Sequence, residues 1–185
     1  MRVARTSHRI TPLSLLVLVK PFLLICLLRA GPRDLPASAF LLGLALAAST
    51  VGSTLVAVFL LGPWRALLEG IAETLLLGLL TVSLLGVLRL QARIVQTLTA
   101  LAGSGTLIGL LALPIYAWAR GLGDAEVANP LPTLLLLALL AWSLVVSGHI
   151  LRQAMAVPFF VGLMVSVMFY WISVTVLTAL FPALV

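Results

Sequence analysis

The charged residues of this chain fall almost entirely in short gaps between long apolar stretches. The chain has 11 Lys and Arg residues and 5 Asp and Glu residues among 185, and 63% of its residues are hydrophobic. A soluble domain is typically about 45–50% apolar and about 25% charged. Because no water-soluble fold of this length buries so much apolar surface, the sequence predicts an all-α membrane protein with lipid as its solvent.

Five apolar stretches are long enough to cross a bilayer, which takes about 20 mostly apolar residues. Short segments with Gly, Pro and Arg separate them, and the longest runs from Ala119 to Pro130. The chain therefore divides into a basic N-terminal segment, residues 1–37, and a transmembrane domain, residues 38–185. We predict a polytopic bundle with five transmembrane helices over Ser38–Leu61, Ala66–Leu88, Ile94–Trp118, Leu131–Gly148 and Pro158–Leu180.

The first apolar stretch, Thr11–Leu28, has a different character. Lys20-Pro21 interrupts it and Arg29 closes it. A lysine at the bilayer centre costs about 2.5–3.5 kcal/mol, and proline removes a backbone donor. We predict a helix that lies in the interface, or that enters and leaves on the same side. A cleaved signal peptide ending near Ala37-Ser38-Ala39 is the alternative, which the charges within its apolar region disfavour.

Counting basic residues gives an orientation. If the first stretch does not span, one side of the membrane carries only Arg65 and Arg120. If it does span, the basic residues divide evenly between the two sides. Since cytoplasmic loops carry the excess of Lys and Arg, we predict a cytoplasmic N-terminus and an outer C-terminus. The cytoplasmic side then holds Arg2, Arg5, Arg9, Lys20, Arg29, Arg33, Arg89, Arg93 and Arg152.

Glu69 and Glu73 are the main charged residues inside a predicted span. Arg65 precedes Glu69 by one helical turn, a spacing that favours an ion pair at the helix end. Glu73 lies deeper with no cation at helical spacing, and such a group marks a proton-titrating site, a cation site or a polar contact between helices. Hydroxyl side chains at similar depth form either a pocket with it or packing contacts: Ser53, Thr54, Thr175 and Thr178.

Two further groups of residues are candidates for contacts rather than chemistry. Gly105 and Gly109 on the third span have the spacing of a close helix contact, within the chain or between two copies. Basic side chains at the cytoplasmic helix ends are candidates to bind anionic lipid headgroups, with snorkelling as the alternative. These are Arg89, Arg93, His149 and Arg152.

The sequence contains no arrangement typical of catalysis or of a metal site. Cys26 is the single cysteine, and His8 and His149 have no Cys or acidic neighbour at ligand spacing. Catalytic triads, HExxH and Walker loops are absent from it. The basic residues stand singly or in pairs, which is not the pattern of nucleic-acid binding. We therefore predict a non-enzymatic protein without cofactor or metal.

The layout of the spans is similar to that of a known family. A non-spanning basic N-terminus precedes five closely spaced helices, and Trp142 leads to a basic turn with His149 and Arg152. Over residues 38–183 this resembles the Yip-domain family of five-span membrane proteins. Because the polar N-terminal motifs of the eukaryotic members are absent, vesicle trafficking and small-GTPase partners are not implied. An excess of Arg over Lys, with much Leu and Ala, predicts the inner membrane of a GC-rich bacterium.

Three functions are compatible with these features. The short loops and the resemblance favour a scaffold or assembly partner in the membrane. The alternative is a small oligomeric transporter or channel that uses Glu73 as its polar site. A third possibility is lipid handling at the inner surface. The expected partners are membrane lipids, a second copy of the chain or another membrane protein.

Overall fold

The chain is all-helical wherever its structure is described. The computed structural model describes the backbone of residues 12–123 and 129–182, and the side chains of these residues from 19 onward. Single turns of 3₁₀ helix, Pro32–Asp34 and Gln91–Arg93, precede the second and fourth helices. The α-helices are α1 (Pro12–Cys26), α2 (Ala39–Ala57), α3 (Pro63–Val87), α4 (Ile94–Leu122), α5 (Leu131–Met155) and α6 (Phe159–Leu180).

Helices α2 to α6 are each long and apolar enough to cross a membrane. This confirms the predicted polytopic bundle and makes the chain a multi-pass membrane protein. The main difference in boundaries is α5, which continues past its predicted end at Gly148 to Met155. His149 and Arg152 therefore lie on the last turns of a helix rather than in a loop, where a cation interacts favourably with the helix dipole.

Helix α1 packs against the bundle over its described residues, Pro12–Cys26, and contains Pro21. Phe22 and Ile25 are buried, and the Phe22 ring occupies the space where a Cβ on Gly103 of α4 would stand. Lys20 stays exposed. The interfacial or re-entrant placement of the segment stays a prediction.

The five spanning helices form a closed ring. Each contacts the next in the order α2, α3, α6, α5, α4, and α4 returns to α2. One end of the ring carries Arg33, Arg89, Arg93 and Arg152, and we call it the basic end. The main apolar core joins α1, the 3₁₀ turn, α4, α5 and α6; it consists of Phe22, Ile25, Leu35, Ala100, Leu101, Ile108, Val146, Ile150, Leu151 and Phe169.

Small residues allow a close helix contact between α5 and α6. A Cβ on Gly148 would lie 2.9 Å from Leu163 Cα, and one on Gly162 would lie 2.8 Å from Arg152 N. One turn further along α6, Ser166 Oγ donates a hydrogen bond to Leu144 O at 3.0 Å. In lipid, where apolar surface alone gives no driving force, such close packing holds helices together.

The contact between α2 and α3 follows the same rule. Gly70 lies against Thr54, and a Cβ there would be 2.8 Å from Thr50 O. Thr50 Oγ1 and Thr74 Oγ1 are 3.0 Å apart and hydrogen-bonded across the two helices. Thr54 therefore serves this interface, and its hydroxyl donates to Thr50 O at 2.7 Å.

The intrachain contact predicted for Gly105 and Gly109 is wrong. A Cβ built on either glycine meets no heavy atom within 4 Å among the described residues. Both glycines face the space inside the ring rather than a neighbouring backbone. A contact with a second copy stays a prediction.

The outer surface of the ring is strongly apolar. Leu75 is 68% exposed and Trp171 71% exposed, and Leu79, Phe160 and Val87 are similarly open. Apolar side chains this exposed are stable in contact with lipid chains and unfavourable in water.

We expect Gly162→Ala to destabilise the protein and Gly109→Ala to be tolerated. The methyl group at position 162 overlaps the α5 backbone, which costs about 1–3 kcal/mol when helices must separate. At position 109 the methyl group has open space, and Ala is favoured over Gly in a helix by about 0.5–1 kcal/mol. Thermal unfolding in detergent, followed by circular dichroism, measures both. Equal midpoints for the two variants would contradict the packing described for α5 and α6.

Candidate functional site

A cavity of about 560 Å³ lies inside the ring and is lined by all five spanning helices. This volume is in the range of about 300–1,000 Å³ typical of ligand pockets. On α5 the lining runs from Thr133 to Leu151, which is about 27 Å of helix. Since the hydrocarbon core of a bilayer is about 30 Å thick, the cavity extends through most of the spanning bundle.

The two ends of the cavity differ in character. At the basic end its wall includes Leu101 and Leu151, which belong to the packed apolar core. At the opposite end the lining includes Tyr116, whose ring stacks on Phe59 with centroids 6.0 Å apart. The cavity is therefore floored by packed side chains at the basic end.

Two carboxylates of α3, Glu69 and Glu73, line this cavity. They are one helical turn apart and share a face of the helix. Helix α3 begins at Pro63, before its predicted start at Ala66, because proline is well suited to the first helical position. Glu69 therefore lies about 9 Å and Glu73 about 15 Å from the start of the helix along its axis.

Glu69 is the more buried of the two acids, at 9% exposure. Its Oε2 atom has no hydrogen-bond partner among the described residues. Arg65, the partner expected from helical spacing, is exposed. The predicted ion pair between Arg65 and Glu69 does not reach Oε2. This buried carboxylate oxygen is left without the hydrogen-bond partner that such groups normally require.

The rest of the lining supplies hydroxyl groups and no positive charge. None of the described lining residues is Lys, Arg or His. A pair of carboxylates without a counter-charge, between low-dielectric walls, makes the cavity favourable for cations and unfavourable for anions. The hydroxyl groups belong to Ser49, Ser53, Thr106, Tyr116, Thr133, Ser143, Ser147, Ser166, Tyr170 and Ser173.

Of the hydroxyl partners predicted for Glu73, the structure brings only Ser53 into the cavity. Thr54 faces Gly70 in the α2–α3 contact. Thr175 is exposed on the outer surface of α6, and its hydroxyl donates to Trp171 O at 2.8 Å. Thr178 donates to Val174 O at 2.7 Å. Both α6 threonines satisfy their hydroxyls within their own helix, so the prediction that they line a pocket with Glu73 is wrong.

Most of the hydroxyl side chains that line the cavity were not predicted from the sequence. A usable signal was present, because several recur on one face of an otherwise apolar helix. Ser143 and Ser147 are one turn apart on α5, and Ser166 and Ser173 are two turns apart on α6. The depth of a residue along its span does not reveal which face of the helix the residue lies on, so depth alone did not predict these serines.

At the basic end, the predicted headgroup residues are largely engaged within the protein. His149 is only 5% exposed, with Nε2 3.1 Å from Ala30 O and 2.8 Å from Gln153 Nε2. Arg93 Nη1 donates to Ala154 O at 2.6 Å. His149 thus anchors the segment after α1, and Arg93 caps the last carbonyls of α5. The burial of His149 contradicts its assignment to lipid headgroups, whereas lipid binding by the half-buried Arg93 stays a prediction.

The other two predicted headgroup residues have different surroundings. The guanidinium of Arg152 lies over the Phe159 ring, 5.6 Å from its centroid, a cation–π contact. Arg89 is exposed just beyond α3, with a φ of 57° that ends the helix. Lipid binding by Arg89 stays a prediction. Within the described ranges no group of three or more His, Cys, Asp or Glu side chains could hold a metal ion.

A comparison with known protein families, curated proteins and solved structures finds no match for this chain. The resemblance to the Yip-domain family therefore stays a prediction that depends on the layout of the spans. The site has to be interpreted from its own geometry.

We expect Glu69→Met to stabilise the protein. Methionine fills a similar volume and removes a buried oxygen without a partner, and unsatisfied buried polar groups cost about 1–3 kcal/mol. The half-buried Glu73 serves as the matched position, and Glu73→Met should raise the free energy of unfolding by less. Thermal unfolding in detergent measures both. A clear loss of stability in Glu69→Met would mean that this carboxylate is a structural group.

Proposed function

We propose that this chain is a membrane carrier that binds a cation in the cavity, with Glu69 and Glu73 as the charged groups that recognise it. The supporting observation is the buried Glu69 Oε2 atom without a partner, in a cavity whose described lining carries no positive side chain. Natural proteins retain an unpaired buried acid at a cost to stability, and ionisable groups within the membrane mark ion and substrate pathways.

A carrier agrees better with the cavity than a channel does. At the basic end Leu101 and Leu151 of the packed core close the cavity, so we treat it as a closed site rather than an open pore. Release of a bound cation on that side requires the ring to rearrange, which is alternating access around a site near the bilayer midplane. The proposal involves no bond-making step and thus no enzymatic activity.

The scaffold function expected from the sequence stays a prediction. It makes no use of the cavity or of the acids inside it. The cavity is the observation that favours the carrier over the scaffold.

The proposal also includes a location. The excess of Arg over Lys supports a bacterial inner membrane, and the concentration of basic residues on one side supports a cytoplasmic N-terminus. An odd number of spans then sets the C-terminus outside. In this orientation the basic end faces the cytoplasm and the Tyr116 end of the cavity faces outward.

Charge movement across reconstituted membranes tests the carrier directly. Proteoliposomes on a solid-supported membrane receive concentration jumps of protons, sodium, potassium, ammonium or an alkylated ammonium ion. We expect a transient current for at least one of these cations in the wild type. In Glu73→Gln the current should fall by at least about tenfold, which corresponds to about 1.4 kcal/mol of binding free energy.

Thr175→Val is the matched control for this experiment. Thr175 lies on the exposed face of α6 and bonds only its own helix, so its loss should leave the current unchanged. A wild-type protein that gives no current with any cation, or a Glu73→Gln variant that conducts like the wild type, would contradict the proposed function.

A further inference from the structure

We infer that the cavity takes an amphiphilic organic cation, a protonated amine or quaternary ammonium group that carries an apolar tail. This inference rests on the proposed carrier function and names the substrate class of the same site. It follows from the size of the cavity, the separation of its charged and apolar parts, and its aromatic residues.

The cavity is much larger than a bare ion. A water molecule takes about 30 Å³ of liquid volume, whereas the cavity measures about 560 Å³. A metal ion such as Ca²⁺ is held by about 6–8 oxygen ligands at about 2.3–2.6 Å. The described residues offer two carboxylates in a wide space and no cluster of three metal-binding side chains. The space is that of a small organic molecule.

The charged and apolar parts of the lining are separated along the bundle. On α3 the lining passes from Glu69 and Glu73 to Leu77 and Leu80 toward the basic end. From Glu73 to Leu80 the helix rises about 10 Å. A ligand with its cationic head at the acids thus has about 10 Å of mainly apolar wall for a tail. Further apolar lining at this end comes from Leu101, Ile108, Leu144 and Leu151, and Ser147 adds a neutral hydroxyl between the two α5 leucines.

Aromatic rings accompany the acids in the lining. Tyr116, Phe169 and Tyr170 face the cavity from α4 and α6. Aromatic faces attract ammonium groups, including quaternary ones that cannot donate hydrogen bonds. The two glutamates supply the charge preference, since an anionic amphiphile of the same shape meets uncompensated carboxylates and no Lys, Arg or His among the described lining residues.

Isothermal titration calorimetry with three probes tests the inference. The full chain is titrated in lipid nanodiscs, and titration of empty nanodiscs subtracts the partitioning of each probe into lipid. Hexyltrimethylammonium has the head and the tail, tetramethylammonium has only the head, and hexanesulfonate has the same tail with a negative charge. We expect hexyltrimethylammonium to bind at least about tenfold more tightly than tetramethylammonium because of its buried methylene groups. Hexanesulfonate should not bind.

Two variants assign the binding to this cavity. Glu69→Gln/Glu73→Gln should weaken hexyltrimethylammonium binding by at least about tenfold, since it removes the charge that selects the head. Leu80→Phe fills part of the apolar end. It should weaken the binding of the hexyl compound while leaving tetramethylammonium unchanged, which a general loss of folding would not do. Thr175→Val again serves as the unaffected control.

Two results would overturn the inference. One is equal affinity of the wild type for hexyltrimethylammonium and hexanesulfonate, and the other is equal affinity of the wild type and the double variant for hexyltrimethylammonium. Failure of the substrate class is distinguishable from failure of the carrier. If Na⁺, K⁺, NH₄⁺ or protons give Glu73-dependent currents and no organic cation binds, the carrier stands and the substrate class is wrong. If currents and binding are both absent, both proposals fall.

Discussion

The bilayer core contains no water with which a backbone N–H or C=O group could form a hydrogen bond. Each backbone polar group must be satisfied within its own segment, so the apolar stretches form helices, and side-chain hydroxyls such as those of Thr175 and Thr178 bond the preceding turn. Apolar surface gives no driving force for helix association in lipid. What remains to organise the bundle is close packing and a few polar contacts.

Close packing at some positions and its absence at others create the cavity. Gly148 and Gly162 bring α5 and α6 together, and Gly70 brings α3 against α2. Gly105 and Gly109 face the interior with nothing opposite, so the same residue type that closes the ring also leaves room within it. The helices therefore meet mainly around their circumference, with one further contact between α3 and α4, and they leave a cavity where the acids of α3 lie.

The sequence predicted the positions of the helices better than it predicted which residues contact each other between them. Charge placement and apolar length identify five spans because both depend on depth in the membrane alone. Depth also singled out Glu69 and Glu73, which line the cavity. It does not say which way a side chain points around its helix, and for that reason Thr175 was expected in the pocket and faces outward. Which glycine meets a neighbour depends on the ring order, and no local pattern encodes that order.

Carbodiimide labelling tests most directly whether a cation reaches these acids. Dicyclohexylcarbodiimide modifies protonated carboxyl groups in apolar surroundings, and mass spectrometry of the labelled protein identifies the site. At a pH low enough to protonate part of the carboxyl groups, we expect modification of Glu69 or Glu73 that decreases as hexyltrimethylammonium is added, because ligand and reagent compete for the same cavity. Labelling of these two residues that stays constant at saturating hexyltrimethylammonium would contradict a cation site in this cavity.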